Sequence, residues 1–124
     1  MPDTLVLYAG GFLTFTWGVS HLIPTRSVVS GFGDISRDNT WIITMEWITE
    51  GVCLIFIGLL VAMVTWIDRG ATVSRWVYGI AFAELNVLSI VSLFTGFKVN
   101  FLPFKLCPVI FTGSSLLILA GGLL

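Results

Sequence analysis

Charge is scarce in this sequence. Asp, Glu, Lys and Arg make up 10% of its 124 residues, where a soluble domain carries about a quarter, so no water-soluble domain is expected. The six basic residues form no cluster, which argues against nucleic acid as a partner. Histidine occurs once. Carboxylates with one imidazole suit iron or manganese in kind, but di-metal bundles take Glu-x-x-His from each of two helices, and no metal or cofactor is expected. The two cysteines, Cys53 and Cys107, differ in depth by more than roughly 10 Å on helix rise, too far for a disulfide, and read as reduced structural thiols. No GxSxG, Walker loop or dinucleotide fingerprint is present.

What the sequence has instead is apolar length. Residues 41–67, WIITMEWITEGVCLIFIGLLVAMVTWI, exceed the roughly 30 Å of hydrocarbon that a helix must cross, with Trp41 and Trp66 near the two interfaces. Three further runs give spans at about 5–23, 76–96 and 106–124. Short connections favour antiparallel neighbours. The expected fold is an all-α membrane protein, one domain over residues 1–124, built as an antiparallel bundle of four transmembrane helices. The first run lacks a basic n-region and a small-residue cleavage site, so it reads as a retained span.

In chain order, Pro24 should end the first span, while Gly11 and Gly18, seven apart, offer one face for close helix approach. The polar connection TRSVVSGFGDISRDNT carries turn chemistry and should fold as a structured cap with a short helical or re-entrant piece. Asp38 or Asn39 is placed to cap the second span. Pro108 suits the first turn of the fourth, and the aromatics of FKVNFLPFKLCP suggest an interfacial segment before it. Thr112, Ser114 and Ser115 should bond to their own backbone or across a helix contact.

The anomaly is acid inside the spans. A carboxylate at the centre of a lipid-facing helix costs about 2.5 to 3.5 kcal/mol even on the lenient insertion scale. Glu46 and Glu50 stand one turn apart on the second span, with Cys53 following on that face. The third span carries Glu84 and Asn86. Measured from the first-loop face, Glu50 lies roughly 14 Å deep, Glu84 roughly 18 Å and Asn86 roughly 15 Å, so the three can share one layer. Glu46, at roughly 7 or 8 Å, and His21, nearer the surface, would continue a polar track outward. At least one of two neighbouring acids in a dry interior should be neutral or share a proton. These groups are then either neutral acids pinning helix packing or a ligand-binding, proton-handling site. His21 is either an interfacial histidine bonded to a carbonyl or water, or a proton carrier working with the acids.

The strings WGVSHLIP and EWITEG, on four short spans, resemble the small bacterial DoxX-like and related uncharacterised four-helix membrane families. That resemblance covers the whole chain in architecture and implies at most a membrane partner of a redox enzyme, that is, an accessory subunit of a redox complex in a bacterial inner membrane. A fainter similarity is to sterol-isomerase-like four-helix ligand binders, whose pockets combine acids with aromatics.

The residues themselves point to an intramembrane acidic pocket that binds a small lipophilic or cationic molecule. An amine would pair with Glu50 or Glu84, and Trp17 and Trp47 would supply apolar and cation–π contact. Proton-coupled transport is the alternative. Beyond the lipid bilayer, a second copy of the chain is an expected partner, since Gly51 and Gly58 form another small-residue stripe. Arg26, Arg37, Lys98 and Lys105 flank one face and Arg69 and Arg75 the other, which predicts a cytoplasmic first-loop face and both termini outside. A cysteine introduced near residue 30 should therefore resist an impermeant thiol reagent applied to intact cells, and ready labelling reverses the orientation.

Overall fold

A computed structural model describes residues 2–124. The chain folds as α1 (Pro2–Leu22), α2 (Thr25–Ser30), α3 (Arg37–Asp68), α4 (Thr72–Gly96) and α5 (Leu102–Gly122), with no strand among the described residues. The four long helices are each apolar and long enough to cross a membrane. They form the expected antiparallel all-α bundle, with α2 as the short helical piece in the first connection.

The four long helices each begin three or four residues before the expected spans, and the cap of α3 and the place of Pro108 also depart from the sequence reading. The cap of α3 is Ser36, neither Asp38 nor Asn39: its hydroxyl accepts the Asn39 N–H at 3.2 Å. Asp38 sits in the first turn instead, where the helix dipole favours an acid. Pro108 lies inside α5 and does not open it; Pro103 occupies the first turn, the position that proline tolerates best. A proline in a helix interior leaves the carbonyl four residues earlier without its N–H partner, here that of Phe104. The C-terminal turn of α4 packs on that carbonyl so closely that a Cβ on Gly96 would stand 2.6 Å from it. The Ser89 hydroxyl of α4 bonds to the Pro108 carbonyl at 3.1 Å and to Thr112 Oγ1 at 2.7 Å. Ser115 donates to the Thr112 carbonyl at 2.8 Å, so these two hydroxyls behave as expected, while Ser114 Oγ is buried without a partner.

The helices are not packed evenly around the bundle. α1 lies between α3 and α5 and makes the most extensive contacts, α4 packs on α5, and α3 and α4 meet least of the neighbouring long pairs. The α1–α3 contact is a glycine contact. A Cβ on Gly18 would lie 2.7 Å from the Gly51 carbonyl, and one on Gly58 would lie 2.5 Å from the Gly11 carbonyl. Both small-residue stripes are thus occupied within one chain, including the Gly51/Gly58 stripe from which a second copy was anticipated. By contrast α3 and α4 are latched only near their loop, where Thr65 and Tyr78 share a buried hydroxyl pair at 3.0 Å and Ser74 donates to the Asp68 carbonyl at 2.6 Å. Away from that latch the two helices part.

Three of the five tryptophans, Trp41, Trp66 and Trp76, point outward near helix ends, the disposition of an interfacial aromatic belt. Trp17 and Trp47 are half-buried. The glycine contact makes a direct prediction. Gly58→Ala should destabilise the bundle by about 1 to 3 kcal/mol through overpacking. Gly79→Ala, where an added Cβ meets nothing within 4 Å, should leave the thermal midpoint in mild detergent nearly unchanged. Equal midpoints for the two variants would show that the α1–α3 approach is looser than described.

Candidate functional site: an acidic groove between α3 and α4

Where α3 and α4 part, they enclose a groove of about 560 Å³, floored by α1 and α5. Its walls follow from helical periodicity. Glu46, Glu50, Cys53 and Ile57 recur at steps of four, three and four along α3, and Glu84, Leu88, Val91 and Thr95 do the same along α4, so each set forms a single stripe. Glu84 is the central residue of α4 and Glu50 lies near the middle of α3. The structure therefore brings Glu46, Glu50 and Glu84 to one cavity, with the latter two at similar depth.

His21 closes the floor. It occupies the last turn of α1, is 8% exposed and holds Nε2 3.4 Å from Glu50 Oε2. The approach is off the hydrogen-bond line, so Nε2 is buried without a hydrogen-bond partner. Trp47 fixes the imidazole in two ways. Its indole stacks on the ring at 3.8 Å between centroids and 16° between planes, and its N–H donates to the His21 carbonyl at 2.7 Å. That carbonyl lies in the last turn of a helix, where backbone acceptors lack an intrahelical donor, and a side chain from α3 satisfies it. Phe104 meets Trp47 edge-on at 5.6 Å.

The groove holds no Lys or Arg among the described residues; the His21 imidazole is its one basic group. The six Lys and Arg side chains belong to residues at or beyond the helix ends. Arg69, for example, pairs with Asp3 at 3.1 Å at the opposite end of the bundle, an exposed contact of little energetic weight. Three acids thus line one cavity with a single imidazole, and of them Glu50 stands beside it. No group of three or more metal-ligating side chains is poised to hold a metal ion among the described residues.

Two expected members stand elsewhere. Asn86 does not line the groove; its amide donates to the Phe82 carbonyl of its own helix at 2.7 Å. Two residues along a helix turn about 200°, which carries Asn86 away from the face of Glu84. Trp17 lines a second, smaller hollow of about 310 Å³, which shares His21, Trp47, Phe104 and Cys107 with the groove. Its indole N–H is buried without a hydrogen bond. Cys53 and Cys107, both free thiols, also face the groove.

No family profile, curated protein or solved structure matches the chain. The site is therefore read from its own residues. Phe104, Cys107, Ser92 and Thr95 were not anticipated as lining. Phe104 and Cys107 were hidden by reading FLPFKLCP as an interfacial loop. Pro103, a good first-turn residue, was the available signal that a helix begins there.

The Trp47 anchor is testable. Trp47→Phe keeps an aromatic ring against His21 and removes the indole donor, so it should lower stability by about 0.5 to 1.5 kcal/mol. Trp41→Phe, at an outward position, serves as the control. A Trp47→Phe protein as stable as that control would remove the hydrogen bond from the description of the site.

Proposed function

We propose that this protein binds a lipophilic cation in the groove between α3 and α4, within a bacterial inner membrane and with the groove's wide end on the cytoplasmic side. The observation that carries this reading is the convergence of Glu46, Glu50 and Glu84, from two helices, on one cavity with a single imidazole as its only basic group. Carboxylates at this depth need a compensating partner. A second copy of the chain is poorly suited to supply one, because its Lys and Arg residues stand at or beyond the helix ends. A cation with an apolar body meets both needs: its charge stands among the acids, and its body lies on Trp47, Phe104 and Leu88, where the aromatic faces add cation–π attraction. The sparse α3–α4 contact favours entry sideways from the lipid.

A second reading, proton-coupled transport of such a molecule, is favoured by one contact, the His21–Glu50 pair, which places a titratable base against a titratable acid inside the bundle.

The test uses tetraphenylphosphonium as the probe, with protein in phosphatidylcholine nanodiscs and the size-matched anion tetraphenylborate as the control. Saturable phosphonium binding is expected, weakened about tenfold or more in Glu50→Gln, a loss of at least about 1.4 kcal/mol. That substitution keeps shape and hydrogen bonding, so expression and thermal stability should stay nearly intact. Equal binding of the phosphonium by wild type and Glu50→Gln, or equal binding of the borate, would sink the cation reading. Loss of binding accompanied by loss of folding would return Glu50 to a packing role.

A further inference from the structure

We infer that the smaller hollow, between α1 and α5, is a second site that binds a quaternary ammonium group on aromatic faces. It goes beyond the cation reading of the groove, because no carboxylate takes part in it.

The hollow lies between the last two turns of α1, with Trp17, Ser20 and His21, and the start of α5, with Phe101, Phe104 and Cys107. These are helix ends on the first-loop side, so the hollow stands near the level of the lipid headgroups. Its rim is open, since Ser20, Phe101 and Leu106 are exposed. A volume of about 310 Å³ is at the lower end for a small-molecule pocket. It suits a compact molecule or a headgroup.

The walls are ring carbon. Trp17, Trp47, Phe101 and Phe104 line the hollow. Phe104 stands at 89° to Trp47, with centroids 5.6 Å apart, and at 64° to Phe101, with centroids 5.3 Å apart. Rings that meet at such angles form corners, and an occupant of a corner touches the faces of both. Neither indole offers its N–H to the cavity: that of Trp47 donates to the His21 carbonyl at 2.7 Å, and that of Trp17 is buried.

The charge of the occupant follows from these walls. Aromatic faces carry the negative part of the ring quadrupole, so they attract a cation and repel an anion, tryptophan most strongly. Among the described residues, no Lys, Arg, Asp or Glu side chain lines the hollow, and Ser20 supplies its one hydroxyl. A protonated amine would bring N–H donors to walls with few acceptors, and leaving such donors unpaired is costly. A quaternary ammonium has no N–H, and its methyl groups present the charge on a surface that packs against rings. Water is poorly accommodated for the same reason: the volume corresponds to roughly ten molecules, each needing two to four polar partners.

The test uses choline labelled with 13C in its methyl groups and protein in dodecyl maltoside micelles, which hold neither choline nor charge. Methyl groups held over ring faces shift upfield in the NMR spectrum, so the signal reads contact with rings as well as occupancy. A saturable upfield shift is expected for wild type and for Glu50→Gln, and Phe101→Leu should weaken binding about threefold or more. Phe101 is 43% exposed, so that variant should fold. The neutral isostere 3,3-dimethylbutan-1-ol should compete about tenfold less well than unlabelled choline. A second arm replaces free choline with phosphatidylcholine labelled in the same methyl groups. An upfield shift in one arm assigns the group to that source, and a shift in both assigns it to the shared headgroup chemistry. No saturable upfield shift in either arm, or equal competition by the neutral alcohol, overturns the proposal. Unchanged binding in Phe101→Leu overturns it as well; if Glu50→Gln then abolishes the shift, the cation belongs to the groove and the groove reading stands.

Discussion

The contact between α1 and α3 sets the geometry on which the site depends. Glycine at four positions lets the two backbones approach until carbonyl oxygens of one helix stand where side chains of the other would begin. In a membrane, where lipid tails are as apolar as leucine, such close van der Waals packing is a main source of helix association. Its consequence lies at the end of α1. With α1 pressed to α3, His21 comes to rest on Trp47 and beside Glu50. A shift of either helix along the other would break the stack, the Trp47 hydrogen bond and the ion-pair distance at once.

The same asymmetry opens the groove. α3 is held along its length by α1, and α4 by α5, whereas α3 and α4 are joined at one end by their loop and by the Thr65–Tyr78 and Ser74 bonds. A bundle closed on all sides would bury Glu50 and Glu84 in a dry core. The parted pair instead gives them a cavity with room for water or a ligand. The polar groups elsewhere in the bundle mostly have local partners. Thr14, Thr44, Thr65 and Thr95 each return a hydroxyl hydrogen bond to the carbonyl four residues earlier, which satisfies the hydroxyl within its own helix. The acids of the groove have no such backbone bond, and among them only Glu50 has a basic neighbour.

Much of this was legible in the residues. The four spans follow from apolar length, and the shared face of Glu46, Glu50 and Cys53 follows from their spacing. The similar depth of Glu50 and Glu84 follows from helix rise alone. Asn86 was misplaced because depth was counted without rotation; two residues on from Glu84, it had to face another way. The pairing of Gly11 and Gly18 with Gly58 and Gly51 could not be read, since two small-residue stripes match each other as well as they match a second chain. The stacking of Trp47 on His21 depends on that pairing and was hidden with it. Pro108 was misjudged because a proline opening a helix and one buried inside it look alike in sequence, and the glycine that accommodates the inner one, Gly96, lies on another helix.

Cys53 offers the most direct measure of whether the three acids share one accessible cavity, because its thiol is free and lines the groove. In a Cys107→Ser background, in phosphatidylcholine vesicles, its modification can be timed with a cationic ethylammonium methanethiosulfonate and with the anionic ethylsulfonate. A cleft lined by one sign of charge focuses the opposite ion, so the cationic reagent should react about tenfold faster or more. The ratio should fall towards one when Glu46, Glu50 and Glu84 are together replaced by Gln. A thiol that reacts with neither reagent, or at equal rates with both, contradicts an acidic groove open between α3 and α4.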